Sequence, residues 1–216
     1  MDTYERLLEI ETKETLDDDD LSHIISASTE RDASVRYLAA ELLCFFDSPE
    51  AKQTLFTLLD DPDELVRTNA CDSLGSFPGK DTYALLLKRF EEDSDPLTRA
   101  YALIAINDLL VSGTEIEQTP LLHLLSARAE TETDAMAHIS ICTTLYLLGC
   151  HEMLDDILAY LTEDPQTTLY CFAIRQLITI LGPENREKIE AAVRAISDPP
   201  VSIAEAIRAF YEAYDR

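Results

Sequence analysis

The feature that most constrains the fold of this chain is a pattern that returns six times along it. One residue in each copy of the pattern is called its anchor here. Three residues after the anchor, five of the six copies have an alanine, and seven residues after it all six have an apolar residue. These two positions share one face of an α-helix, where an alanine lets a neighbouring helix approach closely. A period of about 20–50 residues indicates stacked structural repeats. The anchors are Arg36, Arg67, Arg99, His138, Tyr170 and Ile203, at spacings of 31, 32, 39, 32 and 33 residues.

A second amphipathic segment precedes each anchored helix and has its own start signal. Pro49, Pro120 and Pro183 each open such a segment, and proline is favoured in the first turn of a helix. Asp81 stands just before another segment, where we expect it to precede the helix. Each unit is therefore predicted to be a helix A, a short turn and a helix B. The predicted A helices cover residues 21–28, 49–59, 82–90, 120–129, 151–161 and 183–196, and an additional helix covers residues 3–14.

Two runs of residues carry a family resemblance. The run from Leu58 to Arg67 reads LLDDPDELVR and is followed by Ala70 and Leu74-Gly75, and the run from Asp95 to Ala102 reads DPLTRAYA. They resemble the HEAT-repeat family, in the short bacterial form of the phycobilin-lyase-like proteins. The resemblance covers roughly residues 20–212, the last three units by pattern alone. It implies an all-α fold, a right-handed α-solenoid of about six helix pairs with an extra N-terminal helix and with the B helices on the concave side. We expect a single domain over residues 1–216.

One enzymatic family with HEAT-like repeats, the deoxyhypusine hydroxylases, binds two irons through several His-Glu pairs. This sequence has a single such pair, His151-Glu152, which cannot supply a two-iron site of imidazole and carboxylate ligands. His138 replaces an anchor arginine, and we expect it to form a hydrogen bond in the turn. The sequence contains no nucleophile elbow, H-E-x-x-H or C-x-x-C motif. We therefore predict a protein without catalytic residues, metal ligands or cofactor.

The charge of the chain narrows the choice of partner. It carries 17 Lys and Arg against 42 Asp and Glu, a formal net charge of −25. Such a charge opposes direct binding to nucleic acid, because that binding depends on basic residues that contact the phosphates. It also opposes binding to an anionic membrane surface. It favours a basic protein, whose association an acidic field accelerates.

The cysteines and the start of the chain bear on the compartment. The five cysteines are odd in number and widely spaced, which is typical of reduced thiols and not of a disulfide framework. The first residues lack the basic and apolar regions of a secretory signal. We expect a cytoplasmic location.

Arginine occupies the anchor position of the first three units, at Arg36, Arg67 and Arg99. The family resemblance implies that this arginine binds an aspartate in the turn of a neighbouring unit. Asp61 and Asp95 occupy that turn here. We therefore expect structural ion pairs and not a functional arginine ladder.

Acidic residues concentrate where each A helix turns into its B helix, including Glu163 and Asp164 in the fifth turn. In a solenoid these turns stack along one edge, so that clusters one repeat apart form a continuous acidic ridge. Helix capping and the helix dipole account for one or two acids in each turn but not for four. The densest part of this acidic ridge, predicted to bind the partner, consists of Asp60, Asp61, Asp63, Glu64, Glu91, Glu92, Asp93 and Asp95.

The outward face of the B helices is a second candidate surface. Five residues after the anchors, the chain reads Glu41, Asp72, Ile104, Thr143, Arg175 and Arg208. We expect the groove to be acidic at its N-terminal end, less polar in the centre and basic at its C-terminal end. Burial against the next unit is the alternative for its apolar members. The groove residues predicted to contact the partner are Glu41, Asp72, Ile104 and Tyr146.

Two functional hypotheses follow from these features. The first is a non-catalytic HEAT-repeat module that binds a basic protein, with inhibition of a basic toxin or nuclease, as by bacterial immunity proteins, as its specific form. The alternative is a lyase, or a lyase-like chaperone, that holds a small cofactor in the concave groove. The sequence leaves the oligomeric state open.

Overall fold

The computed structural model describes residues 2–161, 167–196 and 199–214, and this part of the chain contains thirteen α-helices and no strand. Helix α1 is followed by six pairs, in which the even-numbered helices are the A helices and the odd-numbered helices from α3 onward are the B helices. The helices are α1 (Thr3–Glu11), α2 (Asp18–Ala27), α3 (Ala33–Leu43), α4 (Pro49–Leu58), α5 (Glu64–Leu74), α6 (Lys80–Glu92), α7 (Pro96–Val111), α8 (Gln118–Ala129), α9 (Ala135–Leu147), α10 (Met153–Ala159), α11 (Thr167–Thr179), α12 (Arg186–Arg194) and α13 (Val201–Tyr214).

The chain divides into two compact units, Met1–Ile116 and Glu117–Arg216. In the first unit α1, α3, α5 and α7 pack against one another in chain order, and α2, α4 and α6 each pack on the B helix of their own pair. In the second unit α9, α11 and α13 pack in the same order. This succession of stacked helix pairs confirms the α-solenoid fold. A single domain over residues 1–216 stays a prediction.

Local signals explain most of the helix starts. Ser48 caps α4, because its Oγ accepts a hydrogen bond from the Ala51 N–H at 3.0 Å, and Pro49 takes the first helical position. The start of α6 differs from the prediction. It begins at Lys80, so that Asp81 lies in its first turn and there accepts a hydrogen bond from Lys52 of α4 at 2.9 Å.

The start of α12 also differs from the prediction. It begins at Arg186 rather than at Pro183, because Asn185 holds the residues before it in a turn. The Gly182 N–H donates to Asn185 Oδ1 at 2.8 Å, and Asn185 Nδ2 donates to the Ile180 carbonyl at 2.7 Å. Asn185 is buried, so the hydrogen bonds that hold this turn lie in the interior of the second unit.

The predicted repeat positions form the core. Ala39, Ala70 and Ala102 are fully buried, and all six apolar residues seven positions after the anchors are at most 2% exposed. Side chains of the B helices also reach the backbone of the preceding B helix, as where Ser73 Oγ donates to the Ala40 carbonyl at 2.9 Å. Among the described residues, no helix is long and apolar enough to span a membrane.

Replacing Ala70 or Ala102 by leucine should lower the free energy of unfolding by about 1–3 kcal/mol, because the packed B helices leave no room for a larger side chain. Urea unfolding followed by circular dichroism measures the change. Ala84→Leu, at an exposed position of α6, is the matched control and should be nearly neutral. An unchanged urea midpoint for either buried variant would contradict the repeat register.

Candidate partner-binding surfaces

A bidentate ion pair joins the first B helix to the turn of the next helix pair. Arg36 of α3 donates from Nε and Nη2 to the two carboxylate oxygens of Asp61, at 2.7 and 2.8 Å. Arg36 Nη1 also donates to the carbonyls of Glu30 and Arg31, at 2.9 and 3.0 Å. One guanidinium therefore closes the turn of its own pair and holds the turn of the next, with the fixed geometry of a forked contact.

Arg67 of α5 repeats this arrangement one pair later, with a different partner from the one predicted. Its Nε and Nη2 donate to the carboxylate of Asp93 at 2.8 and 2.9 Å. The expected partner, Asp95, instead caps α7, since its Oδ1 accepts a hydrogen bond from the Thr98 N–H at 2.8 Å. Arg99, the third anchor, donates to the Asp93 carbonyl at 3.2 Å.

Each of these turns holds an Asp-x-Asp motif whose two carboxylates have separate structural roles. The first accepts the arginine of the preceding pair, and the second caps the following B helix. Asp63, for example, accepts hydrogen bonds from the N–H groups of Leu65 and Val66 at 3.0 and 3.3 Å. The ridge residues engaged in this way are Asp61, Asp63, Asp93 and Asp95.

The arginines keep the buried aspartates ionised. Burial acts to raise the pKa of Asp61, but hydrogen bonds from Arg36 and the Asp63 backbone, with the charge of Arg67, outweigh it and hold the pKa below its ordinary value. Burial acts in the same direction on Asp93, whose pKa is likewise lowered, chiefly by the hydrogen bonds from Arg67. Both carboxylates therefore stay charged and paired at neutral pH.

The remaining ridge residues are exposed to solvent. Asp60 is exposed and forms an ion pair with Arg89 of α6. The acids predicted in the fifth turn, Glu163 and Asp164, lie outside the described residues. Helix capping was expected to explain one or two acids in each turn. The ion pairs with the anchor arginines explain one more acid in each of these two turns. The ridge residues that a partner could reach are Asp60, Glu64, Glu91 and Glu92.

The predicted groove residues differ in exposure. Asp72 is exposed, and Glu41 and Ile104 are half-buried. Tyr146 contradicts the prediction of an exposed position, since it is only 5% exposed. Its hydroxyl accepts a hydrogen bond from Asn185 Nδ2 at 2.8 Å, which anchors it inside the second unit. Tyr146 is therefore not part of an exposed surface.

A row of carboxylates lies in the final turns of α1, α3, α5 and α7, the four helices of the first unit that pack on one another in this order. It contains Glu41 and Asp72 of the predicted groove, and its other members lie in α1 and α7. None of these four helices has a basic residue in its last turn. The C-terminal end of a helix carries partial negative charge, so acids are unfavourable there. The residues of this C-terminal acid row are Glu11, Glu41, Asp72 and Asp108.

The members of the C-terminal acid row act on one another electrostatically. Burial, followed by the charges of Glu11 and Asp72, raises the pKa of Glu41, and a hydrogen bond from Asn69 offsets part of this rise. Burial of its carboxylate and then the charge of Asp72 raise the pKa of Asp108. The like charges therefore lie near enough to make ionisation harder, which is the opposite of the state of Asp61 and Asp93.

The fold itself does not require acids at these positions. In the second unit the same repeat position, five residues after the anchor, holds Thr143, Arg175 and Arg208. Thr143 is buried, and the two arginines are exposed on α11 and α13. Acids at this repeat position thus occur in the first unit and not in the second, although α13 of the second unit also has an acid, Glu212, in its last turn.

Sequence reasoning missed two members of the row. Glu11 lies in the helix that precedes the repeats, and Asp108 lies nine residues after its anchor. For Asp108 the available signal was its place near the end of a predicted helix without a nearby base, where the helix dipole disfavours an acid. For Glu11 this signal was masked by Lys13, which stands two residues later in the same predicted helix.

The histidines and cysteines of the second unit have other neighbours. His138 Nδ1 lies 3.0 Å from the hydroxyl of Tyr160, at the end of α10, and 3.7 Å from Cys142 Sγ. Burial raises the pKa of Cys142 to about 12, so its thiol is protonated at neutral pH. His151 and Glu152 are exposed. Within the described ranges, no group of three His, Cys, Asp or Glu residues is placed to hold a metal ion.

Comparison with known proteins agrees with the repeat pattern. Residues 21–107, less than half of the chain, match the family model of HEAT repeats. These residues are therefore similar to HEAT repeats, as the sequence resemblance predicted, and this part of the chain is a helical repeat scaffold. No curated protein sequence is significantly similar to the chain.

Solved structures with a similar course of helices include two that share 16% sequence identity with this chain. One is human deoxyhypusine hydroxylase in complex with glycerol, with a TM-score of 0.44, and the match covers 98% of this chain and 89% of that one. The other is an engineered protein, with a TM-score of 0.40, and the match covers 92% of this chain and 99% of that one.

Asp93→Asn should lower the free energy of unfolding by about 3 kcal/mol, because it leaves the Arg67 guanidinium without its buried counter-charge. The folded-state pKa of Asp93 is lowered, so its contribution is complete above the unfolded-state pKa, near 3.9, and is lost as the pH falls through the folded-state value. Thermal unfolding between about pH 7 and pH 3 should show the wild type approaching the variant at the acid end. Glu91→Gln, at an exposed ridge position, is the control. Equal melting temperatures for Asp93→Asn and Glu91→Gln at neutral pH would contradict the structural role.

Proposed function

We propose that this protein is a non-catalytic HEAT-repeat module that binds a basic protein partner through the C-terminal acid row. The observation that carries the proposal is the presence of a carboxylate in the last turn of α1, α3, α5 and α7, which pack on one another in this order and have no base there. Acids at a helix C-terminus are unfavourable by about 0.3–1 kcal/mol each. A feature that lowers stability and that the fold does not require is typical of a functional surface.

The spacing of the row suits an extended or helical basic segment. Packed helices lie about 8–10 Å apart, close to the Debye length of about 10 Å at 0.1 M salt, so the fields of neighbouring carboxylates overlap. A partner that crosses the four helices would meet one carboxylate on each. Because such a field steers a basic protein toward the surface, it raises the association rate at low salt.

Aromatic surface next to the row supports a protein partner. Tyr37 of α3 is 39% exposed. Burial, followed by the charges of Glu41, Tyr101 and Asp72, raises the pKa of Tyr37, so its phenol lies within the electrostatic field of two row carboxylates. Tyrosine is enriched at protein interfaces, where its ring offers apolar area and its hydroxyl a hydrogen bond.

The absence of catalysis and a cytoplasmic location are parts of the same proposal. All five cysteines are free thiols, which supports a reducing compartment. Burial raises the pKa values of Cys71 and Cys142, and a protonated thiol is a poor nucleophile. These observations support a binding protein over a thiol enzyme.

Neutralisation of a basic toxin or nuclease is the narrowest form of the proposal. The net charge of −25 supports it, because inhibitors of such proteins cover basic surfaces with acidic ones. Partners of this kind would be displaced by salt and would bind less well when the row is neutralised.

The test compares two double variants that remove the same amount of charge. Glu41→Gln with Asp72→Asn neutralises half of the row, and Glu91→Gln with Glu92→Gln neutralises an exposed part of the ridge. The probe is a fluorescein-labelled octalysine peptide, whose binding is followed by fluorescence anisotropy at about 0.15 M salt.

We expect the row variant to weaken octalysine binding about five-fold, as the loss of two charge contacts would, and the ridge variant to weaken it less than about two-fold. Circular dichroism checks that both variants are folded. An equal loss in both variants, or a larger loss in the ridge variant, would contradict the assignment to the row. Failure of the wild type to bind octalysine would overturn the proposed function.

A further inference from the structure

A cavity of about 430 Å³ opens where α1 and α3 end. Its volume falls within the range of about 300–1,000 Å³ that is usual for sites that hold small ligands or side chains. Leu16 and Phe46, both half-buried, belong to its lining, and the fully buried Ile10 and Leu42 lie behind it. Phe45, which follows α3, also lines the cavity although it is 66% exposed. The cavity thus offers aliphatic surface and an aromatic ring that the fold leaves uncovered.

The rim of this cavity is acidic. Glu11, Glu14 and Asp47 line it, and both α1 and α3 end there without a basic residue in the last turn. Lys13 also lines the cavity, but its ammonium is held by the carboxylate of Asp20 at 2.6 and 2.7 Å. The cavity therefore favours a positively charged occupant.

The cavity and the C-terminal acid row share a residue. Glu11 lines the cavity and is the first member of the row, and its charge acts on Glu41 of α3. A basic segment that lies along the row would consequently bring one of its side chains to the cavity.

We propose that this cavity binds an arginine side chain of the basic partner. The proposal rests on the proposed function, since it names the residue type that anchors the same partner at one end of the row. The aliphatic part of arginine would lie on Leu16, and the guanidinium would stack on the Phe45 ring and pair with the rim carboxylates. Arginine fits better than lysine, because its planar, weakly hydrated guanidinium stacks on aromatic faces and binds carboxylates in a fork.

The test measures the preference for arginine over lysine at equal charge. Fluorescein-labelled octaarginine and octalysine peptides are titrated into the wild type and three variants at about 0.15 M salt. Phe45→Leu removes the ring but keeps an apolar side chain, and Phe45→Tyr keeps the ring. Tyr4→Leu is the matched control, because Tyr4 is another exposed aromatic residue of the first unit and does not line this cavity.

We expect the wild type to bind octaarginine about three-fold more tightly than octalysine, in line with a cation–π contact at an exposed site. Phe45→Leu should remove this preference without changing octalysine binding, and Phe45→Tyr and Tyr4→Leu should keep it. A wild type without the preference, or a preference that survives Phe45→Leu, would overturn the cavity assignment while the row-dependent binding of octalysine still supports the proposed function. A preference that depends on Phe45, in a protein whose octalysine binding ignores the row, would support the cavity and overturn the row.

Discussion

The forked ion pair between a B-helix arginine and the first aspartate of the following turn sets the register of the repeats in the first unit. A solenoid has only nearest-neighbour contacts, so each pair must be aligned by what it shares with the next. Arg36 with Asp61, and Arg67 with Asp93, supply that alignment from buried or nearly buried side chains. Replacing such a pair by apolar residues can be neutral, but removing one partner leaves an uncompensated charge. The pair therefore specifies how repeats align more than it adds net stability.

This pairing divides the acidic residues of the first unit into two groups. At the helix N-termini, acids cap the B helices, bind the anchor arginines and match the positive end of the helix dipole. In the last turns, the carboxylates of Glu41 and Asp108 have raised pKa values and lie at the negative end of the dipole. The fold explains the first group and not the second. Two exposed ridge acids, Glu91 and Glu92, also lie in a last turn, that of α6, but this turn contains a basic residue, Arg89. For this reason the row, and not the denser ridge, is the better candidate for binding a basic partner.

The helix pairs could be predicted from the sequence because their signals are local, namely the small residue that lets B helices approach and the capping residues before each helix. The partner of Arg67 could not, since Asp93 and Asp95 stand two residues apart and only the path of the turn decides which one faces the arginine. The burial of Tyr146 depends on Asn185, which is distant in sequence. Two of the four residues of the acid row, Glu41 and Asp72, were predicted from the sequence. The other two, Glu11 and Asp108, were missed because they do not occupy the position five residues after an anchor.

The acid row is kept against the preference of the helices that carry it. The most direct measurement is the free energy of unfolding of Glu41→Gln with Asp108→Asn at about pH 7.5. The control is Glu30→Gln with Glu64→Gln, two exposed acids that lie outside the last turn of any helix, which changes the net charge equally. Because both pKa values are raised in the folded state, the wild type bears the unfavourable charge above them and loses it as the pH falls toward ordinary carboxyl values. We expect the free energy of unfolding of the row variant to exceed that of the control variant by about 0.5–1 kcal/mol, and we expect this difference to shrink toward pH 4. A row variant less stable than the wild type would show that these carboxylates support the fold, and would contradict the account.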